Sequence, residues 1–185
     1  VYHFPDGRPA VELSFRYDLG LVLADEHILM CGHMDRIVEF QNDLYVADSK
    51  TTKNTITDRF FLSFNPDNQM SNYTIGGKVA LHVPVKGVII DGMQVAVNFS
   101  RFQRGFCYRS DDQIEEWLGD TKYYITLAYN FATNNYWPMN DKSCDNYGGC
   151  KFRDICAKPK ATRDKWLAAD YVKLEWDPLK TRGDI

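Results

Sequence analysis

Asp35 lies in the stretch Gly32-His33-Met34-Asp35-Arg36-Ile37, and thirteen residues later Asp48 and Lys50 follow in Asp48-Ser49-Lys50-Thr51. In an extended strand residues two apart point to the same face, so Asp48 and Lys50 project together. A hairpin between the two stretches brings Asp35 alongside them. Two carboxylates aimed at one point repel unless a cation sits between them, and oxygen donors of this charge suit Mg²⁺ or Mn²⁺. A lysine beside such an ion orients or helps deprotonate water and offsets charge on a phosphate. Phosphodiester hydrolysis needs that set: a Lewis acid, a nucleophilic water and a compensating cation. A D-x-K triplet alone is common and reads as a solvated hairpin. Here it ends the apolar run Leu44-Tyr45-Val46-Ala47, where an acid and a lysine are costly to bury without partners.

The elements that must position these residues follow from periodicity and turn chemistry. Short strands are expected over 10–15 and 19–23, then a hairpin of 28–40 and 44–49 joined by Gln41-Asn42-Asp43. A short helix is expected over 57–64, and Pro66-Asp67-Asn68 starts another running to about Leu81. Gly76-Gly77 inside it costs about 1 kcal/mol per residue relative to alanine, so it needs a packing reason or marks a bend. Strands at 85–90 and 93–101 read as a second hairpin turning at Asp91-Gly92. Ser110-Asp111-Asp112-Gln113 caps a helix through Trp117 to about Tyr129, with Gly119-Asp120 as an interruption. From Thr133 the chain is loop-rich. The order predicts an α/β domain with a mixed sheet.

Gly-x-x-Asp-Arg-Ile followed by a hairpin and Asp-x-Lys-Thr resembles motifs II and III of the PD-(D/E)XK nuclease superfamily. Gln69-x-x-x-Tyr73 is similar to the Gln-x-x-x-Tyr signature of its RecB-like branch, and residues at i and i+4 share a helix face. The resemblance is strongest over 32–73 and 137–156. It implies a restriction-endonuclease-like core, a central mixed sheet flanked by helices, and metal-dependent DNA cleavage, exonucleolytic on linear ends or single strands. Asp35, Asp48 and Lys50 would be catalytic, with Asp35 and Asp48 holding Mg²⁺ or Mn²⁺. Gln69 and Tyr73 would position DNA. It also implies a cytoplasmic protein of a bacterial or phage-infected cell, with recombination or replication proteins as partners. Many members carry a histidine or glutamate on a helix before the Asp-bearing strand. No counterpart is evident here, which fits an N-terminal part missing from a chain that begins with Val1.

Cys144, Cys150 and Cys156 fall within thirteen residues of one another, whereas Cys31 and Cys107 stand apart. Clustered cysteines without secretory signals read better as metal or cluster ligands than as disulfides. The segment 137–160, with Tyr147-Gly148-Gly149 inside, resembles the cysteine run of RecB-like and CRISPR-associated exonucleases that bear a [4Fe–4S] cluster. That likeness implies a fourth cysteine upstream of this chain. Zinc is the alternative, although His3, His27, His33 and His82 offer no ligand spacing. Cys31 is poorly placed for a cluster, and Cys107, between Phe106 and Tyr108, reads as a buried small residue.

Other residues have two readings each. Glu12 is an additional acidic ligand or a strand-edge salt bridge. His33 reads as packing more than as a ligand. Arg101 and Arg104, interleaved with Phe99, Phe102 and Phe106, track a phosphate backbone or snorkel from a hairpin edge. Trp166 and Trp176 read as packing residues. The 185 residues support one domain with a substantial core. Net charge is −3, so nucleic-acid binding would rest on local fields; Lys142–Lys165, with seven basic and three acidic residues, supplies one. No apolar run is long enough to span a bilayer. The rival functional reading is a catalytically inactive DNA-binding or zinc- or cluster-stapled interaction module of the same fold.

Overall fold

The computed structural model describes residues 1–174. Five strands form one mixed sheet in sequence order: β1 (Val11–Leu23), β2 (Glu26–Phe40), β3 (Asp43–Thr52), β4 (Gly87–Ala96) and β5 (Phe99–Cys107). Neighbouring strands are antiparallel except β3 and β4, which run parallel. A parallel pair needs a crossover. Helices α1 (Asp58–Leu62) and α2 (Asn68–Leu81) supply it, and α2 packs on β1 to β4. Helix α3 (Asp111–Thr133) follows β5. The expected α/β class with a mixed sheet and helices is the observed one.

Among the described residues, 1–126 make one compact unit and 127–174 make a second, where the sequence reading placed no boundary. The second unit holds the end of α3, a 3-10 turn at Asp141–Ser143, α4 (Arg153–Cys156) and α5 (Arg163–Asp170). Within it Phe152 stacks on Tyr171 at 4.9 Å, and the Lys158 ammonium lies 4.7 Å over the Trp166 ring. Trp176 lies outside the described residues.

The core fixes the first unit. Met34, Ile37, Val46, Met70, Val88 and Ile90 are fully buried, and all belong to one cluster between the sheet and α2. Each such side chain contributes roughly 1.5–3 kcal/mol on burial. A single hydrogen bond nets about 1 kcal/mol, so apolar packing, not the polar site, holds β2, β3, β4 and α2 in place. Gly76 and Gly77 explain themselves here. A Cβ on Gly76 would stand 2.6 Å from the Phe15 ring, and one on Gly77 would stand 2.8 Å from Val46. The pair lets α2 lie close on the sheet without bending, so its helical cost is offset by packing.

Several expected boundaries moved. The strands at 10–15 and 19–23 are one continuous β1, because the long β2 pairs along its whole length; Gly20, at φ +69°, absorbs the register shift between Asp18 and Val22. The β2–β3 turn uses two residues, Gln41 and Asn42, both at positive φ. That is the geometry matching the twist of hairpin strands. The turn expected at Asp91-Gly92 is absent. Strand β4 runs straight through it and reverses beyond Ala96, where Asn98 takes φ +70°. Gly92 serves the strand interior instead, since a Cβ there would meet Phe60 at 2.9 Å. Helix α3 is uninterrupted at Gly119-Asp120.

Candidate active site

Strand β3 reaches the site from the core. Val46 and Ala47 are buried on opposite faces, and Asp48, only 3% exposed, follows on the Val46 side, where α2 packs. Two residues on, Lys50 emerges on that same face, partly exposed. Its Nζ is 2.6 Å from Asp48 Oδ2 and donates to Gln69 Oε1 at 2.8 Å. Gln69 Nε2 in turn donates to the Tyr73 hydroxyl at 2.9 Å, and that hydroxyl donates to the His33 carbonyl at 2.9 Å. The i, i+4 pair on α2 thus ties the ammonium on β3 to the backbone of β2.

Asp35 arrives by a slip in β2. Met34 and Ile37, three apart, both lie in the same core cluster. Strict alternation would put them on opposite faces, so the pattern shifts by one residue around Asp35 and Arg36. The Asp35 carboxylate accepts the Ser49 amide at 3.0 Å, between Asp48 and Lys50 in the chain. The expected trio of Asp35, Asp48 and Lys50 is brought together.

Burial pushes the Asp48 carboxyl above its ordinary value; the Lys50 ammonium opposes this, and the Asp35 charge adds to it. The buried Oδ2 is in ion-pair contact with the Lys50 ammonium at 2.6 Å. A desolvated carboxylate beside a second carboxylate is the arrangement a cation relieves. Mg²⁺ is commonly held by one or two carboxylates plus water and phosphate oxygens, so Asp35 and Asp48 fit a hard divalent ion. Among the described residues no three His, Cys, Asp or Glu side chains form a metal-binding group. Glu12 is therefore not gathered with Asp35 and Asp48; it is exposed, at φ 50° in β1.

The same observation bears on the cysteines. Cys144, Cys150 and Cys156 share a segment, and the Cys150 amide donates to the Cys144 carbonyl at 2.8 Å. Among the described residues their side chains are not gathered into a metal-binding group of three. Cys107 is buried as expected, its Sγ 3.2 Å from the Phe64 carbonyl.

The two arginines of β5 part company. Arg101 pairs with Gln94, on the face bearing Lys50, whereas Arg104 pairs with Asp91 on the reverse face. Residues three apart on a strand cannot share a face. On that reverse face Arg36 donates to Ser49 Oγ at 2.9 Å and pairs with Asp91, and Arg104 Nε meets Asp91 at 2.5 Å. A cleft of about 530 Å³ opens beside them. Sequence reasoning missed this network because Asp91 carried a turn signal. Arg36, next to Asp35, was the available clue. His33 pairs through Nδ1 with Ser14 Oγ at 2.8 Å, away from a ligand role.

Fold and site together define an α/β domain: a mixed sheet with a crossover whose strand and helix deliver two acids, a lysine, a glutamine and a tyrosine to one corner. Among solved structures, a crystal structure named "Putative exonuclease", from Eubacterium rectale, superposes with a TM-score of 0.51 at 13% sequence identity. The match covers 85% of this chain and 56% of that one, so this chain spans little more than half of its length. The likeness is one of fold. No protein family matches the sequence, and no curated protein matches it either.

Proposed function

We propose that the protein hydrolyses phosphodiester bonds of DNA as a divalent-metal-dependent nuclease of the RecB-like PD-(D/E)XK type, acting as an exonuclease on linear ends or single strands. The observation that carries this reading is the buried Asp48 carboxylate, with the Asp35 carboxylate and the Lys50 ammonium beside it. Asp35 and Asp48 would hold Mg²⁺ or Mn²⁺. The ion would supply Lewis-acid polarisation and a nucleophilic water. Lys50 places a positive charge where a phosphate's charge builds up, and Gln69 keeps the ammonium at that spot through the 2.8 Å bond. Tyr73 anchors Gln69 and secures it to β2. Arg101, on the same face, extends the path for the strand's phosphates. Arg104 is assigned no part in it.

The fold-level likeness to the E. rectale structure named for exonuclease activity supports the nuclease class. DNA as substrate, and recombination or replication proteins as partners, belong to this proposal. A [4Fe–4S] cluster or zinc on Cys144, Cys150 and Cys156 would require the thiolates to converge with a fourth ligand. Iron, sulfide and zinc analysis of anaerobically purified protein decides between cluster, zinc and free thiols. The rival reading, an inactive DNA-binding module, draws on the lack of a third metal-ligating side chain among the described residues. Labelled linear DNA incubated with Mg²⁺ or Mn²⁺ separates the two: wild type degrades it, and Asp48→Ala or Lys50→Ala does not. Equal degradation by wild type and both variants would end the catalytic assignment.

A further inference from the structure

Helix α2 carries a second i, i+4 pair, one residue out of step with Gln69 and Tyr73: Asn68 and Asn72. Each has its side-chain oxygen occupied. The Trp117 indole donates to Asn68 Oδ1 at 2.9 Å, and the Tyr17 hydroxyl donates to Asn72 Oδ1 at 2.9 Å. An indole nitrogen can only donate, which fixes the Asn68 amide with its NH₂ turned the other way. Burial pushes the Tyr17 phenol up to about 12, so it also remains a proton donor at ordinary pH. Among the described residues neither Asn68 Nδ2 nor Asn72 Nδ2 makes a donor bond.

Both asparagines line a cleft of about 370 Å³, together with Met30, His33, Gln69 and Trp117. The volume lies within the roughly 300–1,000 Å³ of ligand clefts. No acidic side chain lines it, and its wall is Gln69 and Tyr73, the pair that holds Lys50. The indole offers flat apolar surface, the thioether adds to it, and each amide keeps an NH₂ donor beside an occupied oxygen. Bases stack on such aromatic surfaces whatever their sequence. Asparagine amides commonly contact phosphate and sugar oxygens of a strand.

We propose that this cleft binds one nucleotide of a single DNA strand next to the scissile phosphate, with its base against Trp117 and its acceptor oxygens on Asn68 and Asn72. A paired base keeps its face inside the duplex stack and cannot use Trp117 without being extruded. The substrate of the site is therefore an unpaired end. This deepens the nuclease reading and rests on it for the position of the scissile phosphate.

The test measures binding apart from cleavage. Anisotropy of a labelled oligothymidine is followed in EDTA for wild type, Asn68→Asp, Asn72→Asp and Trp117→Ala. Aspartate is isosteric and keeps the acceptor for Trp117 or Tyr17, while replacing the NH₂ donor with a charged acceptor. Each carboxylate variant is expected to weaken single-strand binding by roughly tenfold or more, with melting temperature and affinity for a blunt duplex little changed. Trp117→Ala is expected to weaken binding of the base-bearing strand and to leave an abasic strand of the same length unaffected. Should a carboxylate variant fail to fold, Asn72→Ser takes its place. Variants that bind the strand as tightly as wild type, or a wild type that binds no single strand, overturn the cleft assignment. If wild type binds and the variants do not, yet no divalent ion supports cleavage, the cleft stands as a binding site and the nuclease reading falls.

Discussion

The two faces of strand β3 handle charge in opposite ways. On the reverse face Asp91 is flanked by Arg36 and Arg104, and Arg36 spends a further donor on Ser49. Every carboxylate oxygen there has a guanidinium, and the network is closed. On the face toward α2, Asp48 is more deeply buried and is accompanied by another acid, with one ammonium between the two carboxylates' charge and solvent. Lys50 beside it is shared with Gln69. A closed network secures strands. An open one, held in that state by a rigid core, has electrostatic work left to do when an ion or phosphate arrives. Ser49 lies between them, its amide held by Asp35 and its hydroxyl by Arg36.

Breaking each side separately should give different outcomes. Lys50→Ala is expected to cut the cleavage rate by about 10²–10³-fold, the scale of losing one preorganised charge in a reaction site, and to lower Tm as well, because buried Asp48 loses its ammonium. Asp91→Asn should lower stability without that loss of rate. Leaving Arg36 half-buried without its carboxylate costs about 1–3 kcal/mol, read as a fall in Tm of about 2–4 °C per kcal/mol, while cleavage stays within a few-fold. If Asp91→Asn slows cleavage as much as Lys50→Ala does, the two faces do not differ as described.

Smaller effects sharpen the contrast. Gln69→Ala frees the Lys50 ammonium and should slow cleavage by roughly tenfold, chiefly in kcat, whereas Gln69→Glu should retain the acceptor for Lys50 but repel phosphate and raise KM. Steady-state kinetics separates the two. The smallest effect is one of pH. The folded Asp48 carboxyl lies above its ordinary value of 3.8, so the folded chain binds this proton more tightly than the unfolded chain. Its charge therefore costs stability as pH rises from about 3.8 through the folded value, and the cost is complete above it. In metal-free buffer Asp48→Asn should raise Tm at neutral pH, and the gain should vanish toward pH 4. Melting curves across that range check the sign.

Much of the face bearing Asp48 and Lys50 was legible in the sequence because its signals are local. An apolar strand that ends in Asp-x-Lys, a hairpin before it, and a Gln-x-x-x-Tyr pair on the next helix are each set within a few residues by strand and helix periods. The closed face was illegible for the same reason. Asp91-Gly92 is a strong hairpin signal in isolation, and only the packing of Phe60 over Gly92 shows that the strand continues. Arg101 and Arg104 look alike in a basic-aromatic run, and strand geometry alone separates them. The slip of β2 around Asp35 leaves no mark in composition. Asn68 and Asn72 repeat the spacing of Gln69 and Tyr73 one residue earlier, yet at the start of a helix they read merely as polar residues.

The claim beneath this account is that Asp35 and Asp48 together form a seat for a divalent ion. Titration of Mn²⁺ into metal-free protein, followed by loss of the free-ion EPR signal, tests it without DNA or turnover. The account predicts one saturable site in wild type, lost in both Asp48→Asn and Asp35→Asn and kept in Asp91→Asn. Retention of that site in Asp48→Asn, or its loss in Asp91→Asn alone, would contradict it.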